Sequence, residues 1–144
     1  MIRHFSDIAE IVENVDAAVG FYRNTLGLKV DHESGTGYAT IEIPGILHFG
    51  VWSREQAAHN IFGENADPTK ISLGFTLGFE VDLVEADTRA AGEKGLTFIQ
   101  TPKTESWGQV TSRYFSPSGA LCELSETPWA RKITRDIEIE EEKK

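Results

Sequence analysis

Aromatic side chains and one arginine are the residues of this chain best suited to holding a small molecule. Trp107 ends a polar loop at residues 101–108, and an indole at a loop end can stack on a flat or cationic ligand. Arg113 follows on the next predicted strand and could meet a carboxylate or phosphate, although an exposed strand arginine is the simpler interpretation. Other aromatic residues on or beside predicted strands, which fit either a cavity wall or ordinary core, are Tyr38, Phe49, Trp52 and Tyr114.

Motifs for nucleophilic or phosphate chemistry are missing from the sequence. It contains no Ser-His-Asp arrangement, phosphate-binding loop or CxxC motif. The single cysteine, Cys122, excludes an internal disulfide, and we expect it to be a buried apolar residue. His4, His32 and His59 fall in or next to polar, turn-rich segments, so we expect them at the surface.

The charge balance argues against nucleic acid and anionic membranes as partners. The chain has 14 Lys and Arg against 23 Asp and Glu, a formal net charge of −9. Both of those partners need clustered basic residues. No apolar run reaches the roughly 18 residues that a membrane span needs, and the N-terminus lacks the apolar core of a signal peptide. We therefore expect a cytoplasmic protein.

The two halves of the chain show the same order of elements, strand, helix and three strands. In the first half the apolar stripe of Val15, Val19, Tyr22 and Leu26 predicts a helix that ends at Gly27. Predicted strands lie at residues 5–12, 28–30, 38–43 and 46–52, then at 73–81, 96–100, 111–116 and 120–125, with the second helix at 84–93. Neither module buries its sheet alone, so pairing them around a shared cleft predicts an α+β fold of two βαβββ modules.

The sequence resembles the vicinal oxygen chelate superfamily, which includes glyoxalase I, extradiol dioxygenases and bleomycin-resistance proteins. The resemblance runs from about residue 5 to residue 126 and is strongest at 7–28, 79–87 and 107–124. It implies the glyoxalase/bleomycin resistance fold, a curved sheet around a cleft. We expect a single domain of residues 1–144, with module one at about 4–53, a connector at 54–71 holding one short helix near 55–62, module two at about 72–126 and a charged tail at 127–144.

The resemblance also implies where a metal ion would bind. Family enzymes hold a divalent ion with four strand positions, which fall here at Asp7, His48, Thr76 and Glu123. Thr76 is a poor ligand, whereas the other three suit a hard or borderline ion. A one-residue slip would put Phe49 at the second position and turn His48 to the other face. The cofactor is therefore either one divalent ion (Zn, Ni, Mn, Fe or Mg) or none.

Two functions follow from that resemblance. The first is small-molecule binding, with sequestration of a drug or metabolite in an aromatic, acidic cleft whose candidate contacts are Tyr38, Phe49, Trp52, Trp107 and Arg113. The alternative is a metal-dependent lyase, isomerase or dioxygenase of the glyoxalase I type. In that case Asp7, His48 and Glu123 hold the ion, which acts as a Lewis acid, and Glu123 doubles as the catalytic base.

Two further expectations concern assembly and the tail. Family clefts are often completed in homodimers, and the connector is long enough for modules to be exchanged between chains, so we expect a homodimer. The tail is nearly all acidic at residues 138–142, which is typical of a solvated extension. A minority interpretation packs residues 129–139 over the sheet edge or across a dimer.

Overall fold

The computed structural model describes residues 1–129 and 139–144. Its strands are β1 (Ile2–Val12), β2 (Lys29–Asp31), β3 (Tyr38–Glu42), β4 (Phe49–Ser53), β5 (Gly74–Val81), β6 (Phe98–Thr104), β7 (Val110–Phe115) and β8 (Leu121–Glu126). Its α-helices are α1 (Val15–Gly20), α2 (Arg54–Phe62) and α3 (Val84–Glu93). A π-helical turn at Phe21–Thr25 extends α1, and a 3₁₀ helix covers Pro68–Lys70. No helix in the described ranges is long and apolar enough to cross a membrane.

All eight strands belong to one sheet in the order β2-β3-β4-β1-β5-β8-β7-β6. The first module supplies β1 to β4 with α1, and the second supplies β5 to β8 with α3. Antiparallel pairing of β1 with β5 joins the two modules at the centre of the sheet. The predicted α+β fold of two βαβββ modules is confirmed, and one chain supplies both halves of the curved sheet.

Helices α1 and α3 each cover the convex face of their own module. Val15, Val19 and Tyr22 of α1 and its π-helical turn pack against Ala39, Ile41 and Val51. In the second module Val84 packs against Val81 and Leu124. Asn14 caps α1 by accepting a hydrogen bond from the Ala17 amide, and Asp16 lies in the first turn of the helix.

Helix α2 covers part of the opposite, concave face. The predicted short helix in the connector is confirmed, and Ser53 caps its N-terminus, since the Ser53 side chain accepts a hydrogen bond from the Gln56 amide. Its Ala57 and Ala58 are fully buried against Ile11 and Leu121. The connector is therefore part of the core and closes one end of the cleft.

Most strand boundaries lie within three residues of the predicted ones, and two of the differences have a clear structural reason. Strand β4 begins at Phe49, three residues later than expected, because the turn at residues 44–47 takes up the start of that segment. Strand β6 runs on to Thr104, into the segment that composition predicted as a loop, by pairing Lys103 and Thr104 with β7. Turn-forming residues mark where a loop is allowed, while strand length is decided by the neighbouring strand.

The prediction that His32 lies at the surface is wrong, because its side chain is only 5% exposed. Its Nε2 lies 2.6 Å from Asp16 Oδ1, and its Nδ1 lies 3.0 Å from the carbonyl oxygen of Tyr38. A carboxylate and a carbonyl both accept, so the two contacts together need both ring nitrogens protonated. The hydrogen bond to Asp16 accordingly raises the pKa of His32.

This pair predicts a pH-dependent contribution to stability. Because the folded pKa of His32 is raised, the contribution is fully present below the usual value of 6.5 and is lost as the pH rises through the folded pKa. Asp16→Asn should remove most of the decline in unfolding free energy seen in this window. Urea unfolding between about pH 6 and 9 measures it, with Asp31→Asn, an exposed acid on β2, as the control. Equal slopes in the wild type and Asp16→Asn would contradict the assignment.

Candidate functional site

A cavity of about 610 Å³ opens on the concave face of the sheet. Strands β1, β3, β4, β5, β7 and β8, the residue before β4, helix α2 and the loop between β6 and β7 contribute to its wall. Aromatic rings make up much of the lining, namely Tyr38, Trp52, Trp107 and Trp129, with the imidazoles of His48 and His59. Polar groups reach the same cavity from the sheet, among them Asp7, Thr76, Arg113 and Glu123.

A row of polar residues crosses five adjacent strands beneath this cavity. The strand register places Gln100 opposite Arg113, and Arg113 opposite Glu123. Glu123 is opposite Gly78, which is opposite Asp7. Because residues paired across a sheet point to the same face, all of these side chains share the concave face. The row is a consequence of register and cannot be read from one strand alone.

Gly78 allows the two acids of the row to meet. A Cβ at this position would lie 1.8 Å from Asp7 Oδ1 and 2.7 Å from Ser6 Oγ, so the Asp7 carboxyl occupies the space of the missing side chain. There it lies beside the Glu123 carboxyl, close enough to influence the pKa of that group. Burial first, and the charge of Asp7 second, raise the pKa of Glu123 well above its ordinary value.

Arg113 lies at the centre of a buried charge cluster. Its side chain is 2% exposed, so the expectation of an exposed strand arginine is wrong. Nη1 donates to Glu105 Oε1 at 2.7 Å and to Gln100 Oε1 at 2.5 Å, while Nε donates to Glu123 Oε2 at 3.2 Å. The face of the guanidinium lies over the Trp52 ring, 5.6 Å from its centroid. Arg113 thus lines the cavity while its donors are committed to the protein.

His48 and Tyr38 form the opposite wall. His48 precedes β4, and its carbonyl oxygen accepts from the Ile8 amide at 3.1 Å, which keeps it in register beside Asp7. Its Nε2 lies 2.5 Å from Tyr38 Oη. Burial lowers the pKa of His48, although the charge of Asp7 opposes this, so the neutral ring accepts from the tyrosine hydroxyl. A Cβ on Gly50 would lie 2.2 Å from Tyr38 Oη, so a second glycine makes room for this contact.

Two of the indoles that line the cavity, those of Trp52 and Trp107, are held by amide side chains. Trp107 Nε1 donates to Gln109 Oε1 at 2.7 Å, and Gln109 in turn donates to Thr127. Trp52 Nε1 donates to Gln56 Oε1 at 3.0 Å. Trp107 keeps 46% of its surface exposed, as a ring at a cavity rim should. The two indoles are therefore oriented before any ligand arrives.

Most residues that the sequence singled out do line the cavity. All four metal positions, Asp7, His48, Thr76 and Glu123, do so, and His48 faces inward without a register slip. Trp107, Trp52, Tyr38 and Arg113 line it as well. Phe49 instead packs edge-on against Tyr22 under α1, because it alternates with His48 and points to the convex face. Tyr114 likewise packs against Phe98 beneath α3.

The sequence did not predict several other residues that line the cavity or support its wall. His59, although exposed as expected, lines the cavity together with Gln56 and Asn60, because all three lie on α2. Glu105 is 5% exposed although it lies in a polar loop. No sequence signal marks these residues, although the two glycines in otherwise strand-like segments, Gly50 and Gly78, do indicate close approach. Cys122 is buried, as predicted.

A sequence model of the Glyoxalase/Bleomycin resistance protein/Dioxygenase superfamily matches residues 4–124. The chain belongs to this superfamily. Curated proteins gave no significant match. The vicinal oxygen chelate resemblance inferred from the sequence is thereby confirmed at the level of the family.

Several solved structures share this fold at low sequence identity. Methylmalonyl-CoA epimerase from Mycobacterium tuberculosis superposes with a TM-score of 0.63 at 19% identity, over 91% of this chain and 93% of that one. An NAD-dependent benzaldehyde dehydrogenase from Legionella pneumophila gives 0.60 at 22% identity, over 83% and 96%. A superfamily member from Vibrio splendidus gives 0.56 at 13%, over 83% and 96%. Similarities this distant concern the fold alone.

The close approach at Gly78 generates a prediction about the site. Gly78→Ala should displace the Asp7 carboxyl and lower the free energy of unfolding by about 1–3 kcal/mol, since a methyl group is forced into a filled space. Gly92→Ala is the matched control, because a Cβ there meets nothing within 4 Å and lies on helix α3. Urea unfolding of both variants measures the difference. The contact is refuted if Gly78→Ala is as stable as Gly92→Ala.

Proposed function

We propose that this superfamily member binds a small, flat organic molecule in the cavity on the concave face. The ring of the ligand stacks on Trp52 and Trp107, and its polar edge meets the Asp7–Glu123 pair. The observation that carries the proposal is the combination of a cavity of about 610 Å³ with oriented indoles at its mouth and paired acids on its floor. Ligand pockets in proteins are of this size and combine apolar walls with a few placed polar groups.

The charge of the lining argues against a polyphosphate ligand. Structural relatives include methylmalonyl-CoA epimerase of Streptomyces coelicolor in complex with 2-nitronate-propionyl-CoA. A coenzyme A phosphate would need free basic side chains. Among the described residues Arg113 is the lone Lys or Arg of the lining, and it is engaged with Glu105, Glu123 and Gln100. A compact ligand without phosphate is the better match.

The metal-dependent alternative has one observation in its favour, since Asp7, His48, Thr76 and Glu123 line the same cavity. Their donor atoms are engaged elsewhere, however. Thr76 Oγ1 accepts from the Ala9 amide at 3.1 Å, and Glu123 Oε2 accepts from Arg113 Nε at 3.2 Å. Within residues 1–129 and 139–144 no three His, Cys, Asp or Glu side chains are grouped so as to hold an ion. In this arrangement the donor set does not fit a resident divalent ion.

Assembly and location remain predictions. Because both modules of one chain form the sheet, the cavity is built within a single chain, and homodimer formation is not needed to complete the described wall. The expected cytoplasmic location is likewise untested. Residues 130–138 of the tail lie outside the described residues. The interpretation that residues 129–139 pack over a sheet edge or across a dimer therefore stays a prediction.

Stacking on Trp107 is the testable core of the proposal. Indole, tryptamine, quinoline and acridine are titrated into the protein, and binding is followed by tryptophan fluorescence and by melting temperature. At least one should bind, and Trp107→Leu should weaken its affinity about tenfold, as expected for the loss of one aromatic stack. Phe75→Leu is the control, because Phe75 is similarly exposed but lies on the opposite face of β5.

Two results would count against binding as the function. One is a panel in which no molecule changes the fluorescence or the melting temperature of the wild type. The other is an equal loss of affinity in Trp107→Leu and Phe75→Leu, which would place the bound molecule away from the cavity mouth. Either result would leave the cavity without a demonstrated ligand-binding role.

A further inference from the structure

We propose that Arg113 is the resident cation of this site, supplying the positive charge for Glu105 and Glu123 in place of a divalent ion. The cavity then binds its ligand without metal, and removing the guanidinium opens a site that an added cation can fill. The inference concerns the same cavity as the proposed binding function but does not depend on any ligand. It starts from the disagreement between the donor positions of the family and the arrangement found here.

The guanidinium is nearly saturated by groups of the protein. Of its five N–H donors, Nε and Nη2 face Glu123 Oε2, each at 3.2 Å. Nη1 donates to Glu105 Oε1 at 2.7 Å and to Gln100 Oε1 at 2.5 Å. The group therefore bridges two acids from different segments, the loop after β6 and strand β8. A bridge of this kind requires the planar, forked geometry of arginine.

Burial makes this charge necessary to the fold. The side chains of Arg113 and Glu105 are 2% and 3% exposed, and that of Glu123 is 13% exposed. Lys103 Nζ lies 3.7 Å from Glu105 but is itself 38% exposed, so it is a weaker partner. Buried carboxylates without a counter-charge are strongly unfavourable. Arg113 is the cation that both acids share.

The same arrangement works against a divalent ion at Glu123. One oxygen of this carboxylate already faces two guanidinium nitrogens, and the Asp7 carboxyl lies beside it across Gly78. A metal ion at this acid would have to displace these contacts. It would also sit beside a fixed positive charge in a site of low dielectric, where repulsion is strong. On the far side of Asp7, the Nε2 atom of His48 already accepts a hydrogen bond from the Tyr38 hydroxyl.

Cation rescue tests the proposal without knowledge of the ligand. Arg113→Ala should lower the melting temperature by about 10 °C or more, the size expected for breaking a buried ion pair in a chain of this length. Methylguanidinium chloride at millimolar concentration should then restore part of the loss with saturation. Methylammonium chloride at equal ionic strength, which lacks the fork, should restore less. Arg89→Ala is the control, since Arg89 is 71% exposed on α3.

A second pair of variants serves if Arg113→Ala does not fold. Arg113→Lys keeps the charge and loses the fork, whereas Arg113→Met keeps much of the apolar volume and loses the charge. A resident cation predicts that the lysine variant melts above the methionine variant. A packing role alone predicts the reverse, because the methionine fills the space without a desolvated charge.

The wild type should bind no divalent ion tightly. Calorimetry on chelator-stripped protein with Mn, Ni, Zn and Fe(II) measures this, with Asp7→Ala and Glu123→Ala as comparison variants. Micromolar binding that is lost in both variants would overturn the proposal and restore the metal-dependent alternative. The proposal would also be overturned if Arg113→Ala melted at the same temperature as Arg89→Ala, or if methylguanidinium did not raise the melting temperature of Arg113→Ala. A wild type that passes these tests but binds no aromatic molecule would refute the proposed function alone.

Discussion

The buried charge cluster around Arg113 is the constraint on which the site depends. Taking a guanidinium and two carboxylates out of water is unfavourable unless every donor and acceptor finds a partner. Here, within the described ranges, no buried side-chain nitrogen or oxygen lacks a hydrogen bond. Because the partners lie on β6, β7, β8 and the loop after β6, the cluster fixes these segments relative to one another. Glu123, at its edge, is thereby held facing the cavity.

Two glycines give the concave face its shape. Gly78 and Gly50 both have strand conformation, and neither is needed for a turn. Each removes a side chain from the path of a neighbour, so that Asp7 crosses toward Glu123 and Tyr38 toward His48. A larger residue at either position would push these polar groups apart. The concave face of the sheet therefore presents polar groups to the cavity, and the apolar residues of helix α2 close one end of that cavity.

Local patterns were sufficient for the fold because they repeat. The apolar stripe of the first helix, the turn residues and the second copy of the module together predict the helices and most strands within a few residues. Four of the nine expected site residues came from the resemblance to the superfamily, and eight of the nine line one cavity. Local patterns could not predict that Arg113 is buried, because its burial depends on Glu105 and Gln100, which reach it through strand register and a loop. The burial of His32 depends on Asp16 in the same non-local way.

The charge distribution of the polar row is uneven, and this bears on what the cavity can hold. On one side of the acid pair stands a permanent guanidinium, while on the other side the lowered pKa of His48 keeps its imidazole neutral. The positive charge is therefore concentrated on the side of the second module. A ligand entering past Trp107 meets the Glu123 carboxyl, whose raised pKa favours a protonated group that can donate, beside the oxygens of Asp7, which accept. These carboxyl groups suit a ligand edge that carries a hydrogen-bond donor beside a hydrogen-bond acceptor. Such a contact forms without a metal ion.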